Sequence, residues 1–180
     1  MNTESGRENQ IDIKKARTHT KWDEFKRWVP SIIIAPITIF WSINRGNYGL
    51  MDNIDLVIHE AGHVFFTLFG KFIYTLGGTL MQLIIPLIIA GFFFRNSYRT
   101  GVQFALLWLG QNLINISVYA ADARSQKLPL LGGNKVYHDW NYMLNAIGLL
   151  NFDQVLGHII FGIAIAVFLT SIFMPLITQD

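Results

Sequence analysis

Residues 58–66 place a His-Glu-x-x-His pattern, His59-Glu60-Ala61-Gly62-His63, inside an otherwise apolar run. On a helix, positions i and i+4 stack on one face, so the imidazoles of His59 and His63 can aim at a single point. Two neutral imidazoles at that spacing are half of a zinc site, and Glu60 is placed to take a proton from a zinc-bound water. The competing reading is that these polar residues only line a helix–helix contact. Ionisable side chains in an apolar segment are costly and therefore mark function by default.

A catalytic zinc keeps three protein ligands and one open position. The chain has no cysteine, so the third ligand must be His, Asp or Glu. Asp122 is the first choice, because it ends an apolar run that also carries Gln111, Asn112 and Asn115. An interfacial Asp122 paired with Arg124 is its plainer reading. His138 and Asp139 are the alternatives, in a Gly-containing loop that can fold back over a metal or orient one of its ligands. Asp55 sits four residues before His59, where it can orient an imidazole, but an acid near a helix start is the reading favoured here. His158 reads as a packing residue of the last apolar run, and His19 carries no signal.

These residues need a membrane scaffold to hold them. Of 180 residues, 52% are hydrophobic and only 14% charged, with a mean hydropathy of +0.35. That composition predicts an all-α polytopic membrane protein. A net charge of +2 gives no basis for nucleic-acid binding. Residues 1–28 form a polar basic tail whose last part can lie on the bilayer as an interfacial helix, and no cleaved signal peptide is expected. Residues 29–180 form a single membrane domain with about five spans, at 29–43, 54–69, 72–94, 101–121 and 155–177, and a loop at 122–154. Asp52 or Asn53 is expected to cap the second span. If every run crosses, 11 Lys and Arg residues fall on the tail side and three on the other. The tail and the 122–154 loop are then cytoplasmic, in a multi-pass protein of a bacterial inner (plasma) membrane.

The H-E-A-G-H sequence in one span, the glycines Gly77 and Gly78 in the next, and an Asn-before-Asp pattern in a third resemble the site-two protease family of intramembrane zinc metalloproteases. The likeness covers roughly residues 54–125. It implies a three-helix metalloprotease-like core in which His59, His63 and Asp122 hold Zn2+ and Glu60 is the catalytic base. Gln82 stands where that family has an Asn that engages the substrate backbone, and Ala121-Asp122-Ala123 stands in place of its Leu-Asp-Gly.

The expected reaction is hydrolysis of a peptide bond in a membrane protein or membrane-adjacent peptide. Gly77, Gly78 and Gln82 would hold the unwound substrate by strand addition, and Asn112 or Asn115 would donate to the oxyanion or satisfy nearby backbone. A hydrolase of a lipid amide or small amphiphile uses the same machinery, and a non-enzymatic membrane scaffold on a protease-like fold is the third possibility.

Overall fold

The structure, a computed structural model, describes residues 20–129 and 137–177. The tail up to His19 and the glycine-rich stretch 130–136 with Lys135 lie outside the described residues. Regular structure among the described residues is entirely helical. The helices are α1 (Lys21–Ile43), α2 (Leu50–Phe65), α3 (Gly70–Arg95), α4 (Arg99–Ala121), α5 (Asp139–Ala146) and α6 (Asp153–Ile177). Single 3-10 turns occupy Thr67–Phe69 and Leu150–Phe152.

The termini of these helices follow from local chemistry. Thr20 caps α1, its hydroxyl accepting from the Asp23 amide at 3.2 Å while the Asp23 carboxylate accepts from the Thr20 amide at 3.2 Å. The cap of α2 is Gly49 rather than Asp52 or Asn53, and Asp52 Oδ2 reaches back to accept from the Gly49 amide at 2.6 Å. After the 3-10 turn, Gly70 at φ 81° reverses the chain into α3, a left-handed conformation that glycine adopts without steric cost.

Three helical segments are long and apolar enough to cross a membrane: Thr67–Arg95, Arg99–Ala121 and Leu150–Ile177. The middle one, α4, is the centre of the molecule, with 61% of its apolar window buried against 33% in the other two. Its side chains Leu109, Leu113, Ile116 and Ala120 form the core with Ile34 of α1 and Ile160, Ala164 and Phe168 of α6. Gly110 leaves the space that the Phe168 ring fills, and a Cβ on Gly157 would lie 2.7 Å from Ala121 Cβ. Close helix packing in a membrane depends on such small residues.

Pairings along the helices fix their directions. Arg27 donates to Pro175 O at 2.9 Å and Ser31 to Ile172 O at 2.7 Å, so α1 starts where α6 ends. Gln103, near the start of α4, donates to Ser31 Oγ and to Ser171 O, both at 2.9 Å, and joins the same end. At the other end, Arg45 covers the Phe161 ring at 4.4 Å, while Gly46 approaches Val118. Helices α1 and α4 are therefore parallel, and α3 and α6 run antiparallel to them.

Three of the five expected spans correspond to helices long and apolar enough to cross a membrane. Helix α2 has 16 residues, about 24 Å of helix, shorter than the ~30 Å apolar core of a bilayer. The Arg45–Gly49 loop approaches the end of the bundle where α4 finishes, the first turn of α2 reaches the middle of α4 through Asp52 with Gln111 and Asn115, and the helix then delivers the chain to the start of α3 at that same end. The second apolar run thus fails to traverse the bundle. Residues 122–129 and 137–152 lie at the end of the bundle opposite Thr20.

Candidate metal centre

The face of α2 turned into the bundle carries Asp55, His59 and His63, all buried. Glycines bring that face against α3. A Cβ on Gly62 would lie 2.7 Å from the Gly77 carbonyl carbon and 2.9 Å from Gly78 Cα, and one on Gly77 would lie 2.7 Å from Gly62 O. Gly78 makes room for the His59 ring itself. The backbone admitted by Gly77 and Gly78 is therefore that of α2, which occupies the edge expected for a substrate.

Three side chains converge beneath this contact. Asp139 Oδ2 lies 2.9 Å from His59 Nε2 and 3.2 Å from His63 Nε2, and the two imidazoles meet edge to face with centroids 4.8 Å apart. Each imidazole is held by its other nitrogen. His59 Nδ1 donates to Gln82 Oε1 at 2.9 Å, and His63 Nδ1 donates to Tyr74 O at 2.8 Å. Both acceptors are carbonyl oxygens, so in the neutral rings the protons reside on Nδ1 and both Nε2 lone pairs face the carboxylate. Such second partners fix the tautomer of a metal-ligating histidine.

Three electron-pair donors pointed at one spot repel each other unless a proton or a metal cation lies among them. Tetrahedral zinc with bonds of ~2.0–2.1 Å sets its ligand atoms about 3.3 Å apart, close to the separations found here. His59, His63 and Asp139 are also the group whose ligand atoms all lie within 4.8 Å of one another among the described residues. The donor set fits zinc.

Asp139 opens α5, and the loop that brings it is fastened at several points. Tyr119 Oη accepts from the Asp139 amide at 3.2 Å and donates to Asp139 Oδ2 at 3.4 Å. His138 caps α5, its Nδ1 accepting from the Asn141 amide at 3.3 Å, and its ring packs 4.2 Å from that of Tyr119. Asn141 donates to Ala123 O at 2.8 Å.

The first-choice third ligand has different work. Asp122 accepts from the Ser125 hydroxyl, from the Lys127 amide at 3.0 Å and from the Leu128 amide at 2.9 Å. Its Oδ2 faces His138 Nε2 at 3.5 Å. Burial opposes ionisation of Asp122, but these donors outweigh it and hold the carboxyl below its ordinary value. Burial pushes His138 below its ordinary value despite the pull of Asp122 and Asp139, which keeps its imidazole neutral. Arg124, offered as the partner of Asp122, instead grips Asp153 with its Nε at 2.7 Å.

Glu60 is half-buried beside His59. The amides expected to meet substrate lie in the interior. Gln82 holds His59 and reaches Asn115 Oδ1 at 3.4 Å, Asn115 donates to Asp52 Oδ1 at 2.9 Å, and Asn112 donates to Trp108 O at 3.1 Å. Asp55 accepts from Trp108 Nε1 at 3.0 Å. His158 is exposed rather than packed, donating to Gln154 O at 2.6 Å. Tyr119 and Tyr74 carried no signal in the sequence, because one acts by reaching a distant loop and the other by its backbone.

The chain matches no family model, no curated protein and no solved structure.

Proposed function

We propose that this chain is a membrane-embedded zinc hydrolase that cleaves an amide bond, with His59, His63 and Asp139 as ligands and Glu60 as general base. The observation that carries the reading is the meeting of His59 Nε2, His63 Nε2 and Asp139 Oδ2 while both Nδ1 atoms are committed elsewhere. Bound zinc supplies a Lewis acid that polarises a carbonyl and lowers the pKa of a coordinated water toward ~7. Glu60 accepts the proton of the attacking water and returns it to the leaving nitrogen. The C–N bond breaks, with hydroxide added to the carbonyl carbon and the proton to the amine. Gln82 and Tyr74 keep the imidazoles oriented, and Tyr119 keeps Asp139 aimed between them.

On this reading α2, α3 and α4 are the counterpart of the three-helix core of the site-two proteases, with the carboxylate supplied from α5 in place of the third helix. A peptide bond of a membrane protein is the first substrate class. One observation favours the lipid amide or small amphiphile as a second: α2 and His59 already occupy Gly77, Gly78 and Gln82, the edge expected to hold an extended peptide.

The test combines metal analysis with turnover. Purified protein should carry close to one equivalent of zinc, and Glu60→Gln should keep it while losing hydrolysis of membrane peptides and lipid amides alike. Turnover of lipid extracts alone selects the amphiphile. A wild-type protein that binds no zinc is a scaffold, and the hydrolase reading is then wrong.

A further inference from the structure

We infer that the metal centre opens on the side of the membrane away from the cytoplasm, and that α2 is a half-membrane helix in a chain that crosses four times. The inference extends the proposed function by naming the side from which substrate arrives. It rests on that reading only for the chemistry, and its geometry stands without zinc or turnover.

The bundle has two distinct ends. One end gathers Thr20, the α3–α4 turn and the end of α6, as the contacts Arg27 to Pro175 O and Gln103 to Ser31 and Ser171 O establish. The other gathers the α1–α2 loop, the start of α3, the end of α4, helix α5 and the start of α6. The metal centre belongs to this second end. His63 is held by Tyr74, four residues into α3, and Asp139 by Tyr119, two residues before the end of α4. At 1.5 Å per residue these two anchors lie about 3–6 Å inside the helix ends, and Gln82, which holds His59, lies about 18 Å inside α3.

Charge then selects the side. Among the described residues, the first end has Arg95 and Arg99 of the turn and Lys21, Lys26 and Arg27 at the start of α1, and four more, Arg7, Lys14, Lys15 and Arg17, precede Thr20 in the sequence. The metal-bearing end has Arg45, Lys71, Arg124 and Lys127, with Lys135 in the sequence between residues 129 and 137. Positively charged flanks are retained in the cytoplasm. The end holding Thr20 is thus cytoplasmic, both described ends of the chain face it, and the metal centre faces out. The path has the apolar α3, α4 and α6 as crossings and α1, which pairs with α6 from Arg27 to Arg45, as the fourth, with α2 dipping in from the outer face. The bond presented to Glu60 then lies in the outer half of the bilayer.

The natural absence of cysteine gives a direct experiment. Asn47→Cys in the α1–α2 loop, Asn145→Cys on α5 and Asn96→Cys in the α3–α4 turn each replace an exposed residue. The full-length variants are expressed in intact cells and treated with a membrane-impermeant maleimide, with detergent-solubilised protein as the reactivity control. Positions 47 and 145 are expected to label in intact cells, and position 96 only after permeabilisation. Labelling of position 96 with protection of position 145 overturns the orientation. Positions 47 and 145 labelling from opposite sides overturns the four-crossing path. Neither result depends on zinc or on turnover, so a failure here is separate from a failure of the hydrolase.

Discussion

A methyl group placed on Gly78 would sit 2.5 Å from His59 Cε1 and 2.6 Å from His59 Cδ2. Ordinary carbon contacts lie at ~3.5–4.0 Å, so Gly78→Ala must move the imidazole by about 1 Å. Zinc ligation tolerates departures of only ~0.2 Å. The ring cannot retreat, since α2 is already in backbone contact with α3 at Gly62 and Gly77 and Nδ1 is tied to Gln82. Overpacking of this kind costs ~1–3 kcal/mol of stability. The loss of zinc affinity should be at least the ~10–100-fold that follows removal of an outer partner of a metal ligand. The assay is competitive zinc titration of purified protein against a chromophoric chelator, with thermal unfolding recorded alongside. Gly91→Ala is the control, because nothing lies within 4 Å of a Cβ there. A folded Gly78→Ala protein that binds zinc as tightly as the wild type would refute His59 as a ligand.

Other perturbations separate the ligands from the residues that position them. Asp139→Asn should abolish stoichiometric zinc in metal analysis, whereas Asp122→Asn should leave it bound and lower the stability of the 122–128 loop to proteolysis. Gln82→Leu leaves the His59 Nδ1 proton buried without an acceptor, and zinc affinity should fall ~10–100-fold in the same titration. Asp122 also sets an acid limit. Its carboxyl is held below the ordinary value, so its contribution is fully present above the unfolded-state pKa of ~3.9 and is lost as pH falls through the folded value. Limited proteolysis below about pH 4 should cut the 122–128 loop in the wild type, and Asp122→Asn should remove that pH dependence.

The sequence by itself determined the helical membrane character and half of the candidate metal centre. Apolar runs near bilayer length mark helices whatever their partners, and the four-residue spacing of His59 and His63 puts both on one helical face. It also marked Gly77 and Gly78 as places of close approach, because a missing Cβ is visible without knowing what will fill it. The acid that meets the two imidazoles was another matter. Asp122 and Asp139 are both acids near the end of α4, and only the folding back of the loop onto Tyr119 decides between them. Gln82 was visible as a polar residue in an apolar run, but that it serves His59 depends on the register of α2 against α3. The path through the bundle was likewise settled by tertiary pairing. Length and hydropathy describe α2 as an apolar helix, but they do not reveal that the loop before it and the turn after it lie at the same end of the bundle. That follows from contacts such as Gly46 with Val118 and His63 with Tyr74, between residues that local chain physics leaves independent.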